Sequence, residues 1–382
     1  MPRPLYLLML CNLVIGTGVF VLGGILSAVA ESLQVSVAAA GQAMTAYAVS
    51  TALLAPLALV LTGRWSRRNV LVTGLVLFAL GNFVCAAAES LPALLAGRVL
   101  MGMGAVFTPV SGSIAVALAA PAQRGRALSL VFLGISLSYV VGTPLGAWLG
   151  LHYGWRWPVA LVGAGAVAAV LGLLALLPRN ISAPGASFAG LPRLLVQPPV
   201  AAALALTLLY FSAIFTVFAY IGPVLQALAP MSAEALSLTL MLFGVSGVTG
   251  TLLGGWANDR FGGQRTLPVQ LALLALMMAL VPLTQGNPIA VNAVFFAWGV
   301  AGFGMMAPQQ SRLAELAPAQ TPILLSLNSS MLYFGTAAGA AIGGAAATSF
   351  GFDRLAWVGV PFALAGLILL VAGPRPAPRR LA

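Results

Sequence analysis

The 382-residue chain has no lysine, six acidic residues, one histidine and two cysteines. Each scarcity excludes something. Only 6% of residues are charged against 61% hydrophobic, with a mean hydropathy of +1.05; a water-soluble fold of that composition would expose large apolar patches. Cys11 and Cys85 stand inside apolar runs with no CxxC or Cys/His spacing. They read as packing thiols, and neither a metal site nor a redox pair is expected. No GxxxxGK[ST] loop is present, so ATP-driven transport is disfavoured. An intramembrane serine protease would need a Ser/His pair in the bilayer, but the single histidine, His152, falls in the turn HYGWRW and reads as a solvated loop residue. The chain is therefore not expected to be an enzyme, and no cofactor is implied.

Seventeen arginines give a net charge of +11. They fall in short separate clusters, whereas nucleic acid requires a continuous basic footprint, so no nucleic-acid partner is expected. Between the clusters lie apolar runs of about 20 residues, the length that crosses ~30 Å of hydrocarbon as a helix. Twelve such runs can be placed, and the partner they imply is a lipid bilayer. The first, residues 5–28, ends on Ala28, Val29 and Ala30, which imitate a signal-peptidase site. Its 24 residues exceed the ~7–15 of a signal core, so it is expected to remain as a span.

The stretch GRWSRRNVL, residues 63–71, packs Arg64, Arg67 and Arg68 between two uncharged runs. With the N-terminus inside, fourteen of the seventeen arginines fall on the cytoplasmic side; Arg156 and Arg354 fall outside and Arg98 within a span. The positive-inside rule then places both termini in the cytoplasm and makes the arginine knot a topology anchor. The longest inner connection, residues 179–199, is rich in Pro, Gly, Ser and Ala and separates an N-terminal bundle, 1–178, from a C-terminal one, 200–382. The halves echo each other: GTPLGAWLGLHYGWR aligns with GAAIGGAAATSFGFD at an offset of 197, matching Gly142 with Gly339, Gly146 with Gly343 and Gly154 with Gly351. Two parallel six-helix repeats enclosing a midplane site is a transporter plan.

These features resemble the major facilitator superfamily, and within it the twelve-span drug:proton antiporter branch that includes arabinose, sugar and purine efflux proteins. The resemblance covers essentially the whole chain. It rests on a G-x-x-x-D-R-x-G-R-R loop whose second-half copy keeps Gly255, Asp259, Arg260, Gly262 and Arg265, while the first copy keeps Arg64, Arg67 and Arg68 but has Gly63 in place of the aspartate. It rests also on GRVLMGMG, with Arg98, Gly102 and Gly104, and on GTPLG, with Gly142, Pro144 and Gly146. The implied fold is an all-α membrane protein of twelve transmembrane helices in two pseudo-symmetric six-helix bundles. The implied function is export of a small molecule by alternating access in exchange for protons, in a bacterial inner membrane; nothing in the sequence calls for more than a monomer. An uncoupled facilitator or an importer is the alternative, because no Asp or Glu lies within a span to carry a proton.

The resemblance also implies a cavity lined by spans one, four, seven and ten. Candidates there are Asn12 and Thr17; Arg98, Met101 and Thr108; Tyr210, Phe211, Phe215 and Tyr220; and Trp298, Met305 and Gln309. Aromatic rings with a few amides and hydroxyls suit an uncharged or amphipathic solute. Arg98 is the only charge placed in hydrocarbon, where it costs about 2.5–3.5 kcal/mol and demands partners; it either structures the fourth span or lines the cavity. The loop residues Arg64, Arg67, Arg68, Gly255, Asp259, Arg260 and Arg265 form either a cytoplasmic latch or plain anchors. Gly222 and Pro223 close the seventh span as a terminus or a gate, while Gly102, Gly142, Pro144 and Gly146 serve close helix packing and a kink.

Overall fold

In lipid, every backbone polar group must be satisfied within its own segment, so apolar runs of this length have only the helix open to them. The computed structural model describes residues 2–120, 123–179, 181 and 196–373, and among these the regular structure is helical throughout. Most of the 179–199 connection, with Arg193, and the tail with Arg375, Arg379 and Arg380 lie outside the described residues.

Eleven segments are long and apolar enough to cross a bilayer. In order, the first six spans are Arg3–Gly24, Val37–Leu61, Arg67–Ala86, Leu91–Leu118, Arg124–Tyr153 and Arg156–Leu176. The second half supplies Pro198–Phe218, Ala233–Phe261, Gly263–Thr284, Pro288–Leu316 and Leu355–Ala372. Span eleven, Thr321–Phe350, is a 30-residue helix in which Gly, Ala, Ser and Thr dilute the hydropathy. Polar caps start several spans: Ser66 accepts from the Asn69 amide at 3.3 Å, Ser232 from the Ala235 amide at 3.3 Å, and Asn287 from Ile289 and Ala290 at 3.1 Å. The repeated glycines Gly154 and Gly351 end spans five and eleven with φ of 97° and 80°, a backbone region that side chains disfavour.

The pairing of helices repeats between the halves. Span one packs on five and six, three on four and six, and two on four; correspondingly seven packs on eleven and twelve, nine on ten and twelve, and eight on ten. The halves meet where span two lies along eleven and span five along eight. The sequence repeat has a packing cause. Gly134, Ser138, Gly142 and Gly146 recur every fourth residue on span five, so they share one helix face, and span one lies against it at Met9, Gly16, Thr17 and Val21. Gly335, Gly339 and Gly343 do the same on span eleven against Leu208, Ser212 and Thr216 of span seven. Small residues let the backbones approach closely, which supplies the association that hydrophobicity cannot supply in lipid.

Five spans are irregular. Span four passes through a 3₁₀ turn at Gly104–Val106, and span ten breaks between Phe303 and Met306. Span five widens into a π turn at Ser138–Gly142, where the Thr143 amide bonds to the Ser138 carbonyl. Pro144 explains it: lacking an N–H, it leaves the i−4 carbonyl of Val140 unclaimed and shifts the ladder by one residue. Span one ends at Gly24 and resumes as Leu26–Ser32; span seven ends at Phe218 and resumes as Ile221–Leu228.

Candidate functional site

Two symmetry-related polar nodes hold three of the expected cavity residues. Asn12 is fully buried and donates to Ser111 Oγ at 3.3 Å and to the Val131 carbonyl at 3.1 Å, with Thr108 Oγ1 3.5 Å from its carbonyl oxygen. Gln309 donates to Thr207 Oγ1 at 2.9 Å and to the Ala203 carbonyl at 2.6 Å, and Thr207 donates to Asn328 Oδ1 at 2.5 Å. The first node joins spans one, four and five; the second joins seven, ten and eleven. Asn12 and Thr108 thus bond within their own half, and so does the amide nitrogen of Gln309, whose Oε1 is buried without a hydrogen-bond partner.

Arg98 is 1% exposed. Its Nη1 donates to the Gly18 carbonyl at 2.9 Å and its Nη2 to the Val19 carbonyl at 3.2 Å, while its guanidinium carbon sits 5.9 Å over the Tyr47 ring. Nη1 also lies 3.7 Å from the sulfur of the buried Met101. Among the described residues no carboxylate pairs with it. Gly102 next to this group packs on Ser50 and the Tyr47 carbonyl, so spans two and four approach closely there. Arg98 accordingly sits behind span one, against the carbonyls of Gly18 and Val19, with the Tyr47 ring beside it.

That boundary is aromatic. Phe20 of span one stacks on Tyr139 of span five at 4.6 Å between ring centroids and meets Phe218 of span seven at 5.6 Å. Tyr139 also meets Phe303 of span ten at 5.0 Å. Phe218 meets Phe215 at 5.4 Å and Phe243 of span eight at 5.6 Å, and Phe215 leads on through Phe211 to Tyr210. Trp298 and Phe295 back Phe243 at 5.0 and 6.4 Å. A second bridge runs through Tyr47 and Tyr333, whose rings are 6.4 Å apart on spans two and eleven. Phe20, Tyr139, Phe211, Phe303 and Tyr333 are half-buried, whereas Tyr210, Phe215, Trp298 and Met305 are buried behind them. Half-buried rings contributed by both halves at one level form a surface suited to a ring-bearing or amphipathic solute.

Of the expected cavity residues, Phe211 and Phe215 join this ring set directly. Thr17 faces Gly142 and donates to the Leu13 carbonyl at 2.8 Å, a packing position. Tyr220 is buried and donates to the Ala340 carbonyl at 2.9 Å, with the Ala38 carbonyl of the other half at 3.5 Å. Sequence reasoning missed Phe20, Tyr47, Tyr139, Phe218, Phe243, Phe303 and Tyr333. Tyr139 stands five residues before Pro144 and Phe20 one turn after Thr17, so both are legible in the sequence as aromatics beside candidate positions. Tyr47 and Tyr333 lay on spans two and eleven, outside the set expected to line the cavity.

The two ends differ. At the arginine-poor end, Gly222 packs against the carbonyls of Gly23 and Gly24, so the broken ends of spans one and seven touch backbone to backbone. Pro223, also buried, stands beside Gly222 in the first turn of the short helix Ile221–Leu228. His152 and Glu234 join the halves at the same end, 2.9 Å apart. Toward the arginine-rich end the same face of span one opens: Gly24 is buried, Phe20, Thr17 and Leu13 half-buried, and Leu10 and Tyr6 each 49% exposed.

The loop residues do not form an ion pair with Asp259 among the described residues. Asp259 and Arg260 are exposed, Arg260 lying 5.8 Å over the Phe261 ring. Gly255 has open space around it, and Arg265 is exposed in the first turn of span nine. In the first half Arg64 is exposed, Arg68 is buried and bonded to the Leu174 carbonyl of span six, and the buried Arg67 donates its amide to the Ile181 carbonyl at 3.1 Å. The knot thus ties span three to span six.

Comparison with known proteins agrees with this architecture. The family model described as Major Facilitator Superfamily matches residues 8–322. The "Uncharacterized MFS-type transporter YbcL" of Bacillus subtilis (strain 168) is 29% identical over 375 residues, covering 96% of this chain and 94% of that protein. Among solved structures, a bacterial homolog of the human lysosomal transporter Spinster, inward-facing and occupied, superposes with a TM-score of 0.79 at 16% identity over 98% of each chain. A D-xylose–proton symporter gives 0.77 at 18% identity over 99% of each.

Proposed function

The chain belongs to the Major Facilitator Superfamily, and from that premise we propose that it exports a small, uncharged or amphipathic, ring-bearing molecule by alternating access, exchanging it for protons. The observation that carries this reading is the set of half-buried rings, Phe20, Tyr139, Phe211, Phe303 and Tyr333, drawn from both halves beneath the seal at Gly24 and Gly222. A solute held by rings of both halves has different contacts when the halves rock, which is the condition for alternating access. The bundles 1–178 and 200–382 are the rocking bodies and 179–199 their tether. Placing the arginine-rich end in the cytoplasm of a bacterial inner membrane follows the positive-inside rule and makes this conformation inward-facing. In this reading Arg98 holds span one in register and passes its charge to the site through Tyr47, and the Asp259 loop pairs only when the cytoplasmic end closes. A monomer contains all of these parts.

Among the described residues no carboxylate pairs with a group at the rings, and that observation favours a second reading, an uncoupled facilitator. The two separate in liposomes with an acid lumen, recording lumenal pH while sugars, nucleosides and cationic drugs are added in turn. Substrate-triggered alkalinisation supports exchange. Substrate movement without a pH change rejects exchange and leaves the facilitator.

A further inference from the structure

The lone histidine occupies a position that no expectation assigned to it. His152 lies in the last turn of the helix Thr143–Tyr153, in the first half, and Glu234 in the first turn of Ala233–Phe261, in the second. Both of its ring nitrogens face acceptors: Nδ1 is 2.9 Å from the Trp148 carbonyl oxygen, and Nε2 is 2.9 Å from Glu234 Oε1. Neutral imidazole has one N–H, so it would leave a lone pair against either the carbonyl or the carboxylate; the imidazolium donates to both. Among the described residues this is the one ion pair that joins the halves, the other being the local Arg354–Asp353.

We propose that His152 is a conformation-dependent proton site whose occupancy closes the arginine-poor end of the transporter. The inference rests on alternating access as read above. Parting the halves at this end carries Glu234 away from His152 and removes one of the two acceptors, so closure and protonation favour each other by linkage. Acid therefore stabilises the closed end, and raising the pH releases it. The other groups around the ring do not compete. Tyr153 and Trp148 contact it through their rings, and Arg156 turns away to Ser32 Oγ at 2.9 Å and the Ala88 carbonyl at 2.8 Å. The side chains are 34% and 63% exposed, so the effect is of the size a solvated pair supports, about two- to five-fold in the ratio of closed to open.

The test is a distance distribution between spin labels at Ala87→Cys and Gln285→Cys, one in each half at the arginine-poor end, in lipid nanodiscs from pH ~5 to ~8. Two populations are expected, the shorter-distance one rising about two- to five-fold on acidification. In His152→Gln and Glu234→Gln the ratio should not change with pH. In His152→Lys, which keeps its charge, the closed population should stay high throughout. Equal pH dependence in the parent and in His152→Gln, or none in the parent, overturns the proton site while leaving alternating access intact. A single distance at every pH rejects both.

Discussion

Arg98 Nη1 donates to the carbonyl oxygen of Gly18 at 2.9 Å, tying the only charge in the fourth span to the backbone of the first. Gly18 and its neighbour Val19 lie about one and a half turns before the end of span one at Gly24, and directly before Phe20, the ring that stacks on Tyr139. The arginine therefore positions an element of the aromatic boundary without itself being exposed there. A charge-assisted bond is worth about 1.5–3 kcal/mol net, and losing it should be felt as a shift of Phe20.

Arg98→Gln and Arg98→Ala are expected to insert into the membrane normally and to lose transport on the order of 10- to 100-fold, the range that one such bond corresponds to. Arg98→Lys should rescue only part, because an ammonium cannot serve both carbonyls and the Tyr47 ring in one plane. Normal transport by Arg98→Ala would show that the carbonyl bonds do not position the site.

Tyr333 and Tyr47 are the second contact between the halves at the level of the rings. Tyr333→Phe keeps the ring and removes the hydroxyl, so substrate affinity should fall by a few-fold while expression and thermal stability stay unchanged. Tyr333→Ala removes the ring, and affinity should fall further, by about 1–3 kcal/mol or more in an apolar pocket. Equal affinity in all three proteins would place the substrate elsewhere.

The glycine ladder makes a stability prediction. A Cβ on Gly339 would lie 2.5 Å from the Ser212 carbonyl oxygen and 2.9 Å from the Thr216 amide, backbone atoms that cannot swing aside. Gly339→Leu should cost about 1–3 kcal/mol by overpacking and lower the unfolding temperature in detergent. Gly255→Ala meets nothing within 4 Å and should be neutral or stabilising by about 0.5–1 kcal/mol, as for alanine in a helix interior. A reversed order of the two would contradict the packing described here.

Asp259 is exposed in this conformation, so Asp259→Asn should leave the unfolding temperature within the ±0.5 kcal/mol range of surface substitutions. Turnover should nonetheless slow, because the loop's proposed partner is met when the arginine-rich end closes. Unchanged turnover would reduce this loop to a topology anchor.

Composition made the fold legible: long apolar runs with few charges leave the backbone no alternative to spanning helices, and the offset between Gly142 and Gly339 reported a packing ladder on spans five and eleven. Pro144 marked a kink, though its form, a π turn carrying Tyr139, depends on which carbonyl takes the next amide. The site was read less well. Asn12 and Gln309 are expected in the cavity because they lie on spans that the family resemblance makes cavity-lining, but each bonds to neighbours inside one half. Nothing local distinguishes an amide that crosslinks helices from one that meets solute. Tyr47 and Tyr333 could be found only by knowing that spans two and eleven touch. His152 read as a loop residue because its partner, Glu234, lies 82 positions away.

The most direct test of the central claim is the reactivity of a cysteine at Phe20 toward a small, membrane-impermeant methanethiosulfonate applied from either side of the membrane, the native cysteines Cys11 and Cys85 being buried. Alternating access through the aromatic boundary predicts modification from both sides, faster from the arginine-rich one, with a bifunctional crosslinker between His152→Cys and Glu234→Cys abolishing only the arginine-poor route. Modification from neither side, or from both sides regardless of the crosslink, would contradict it.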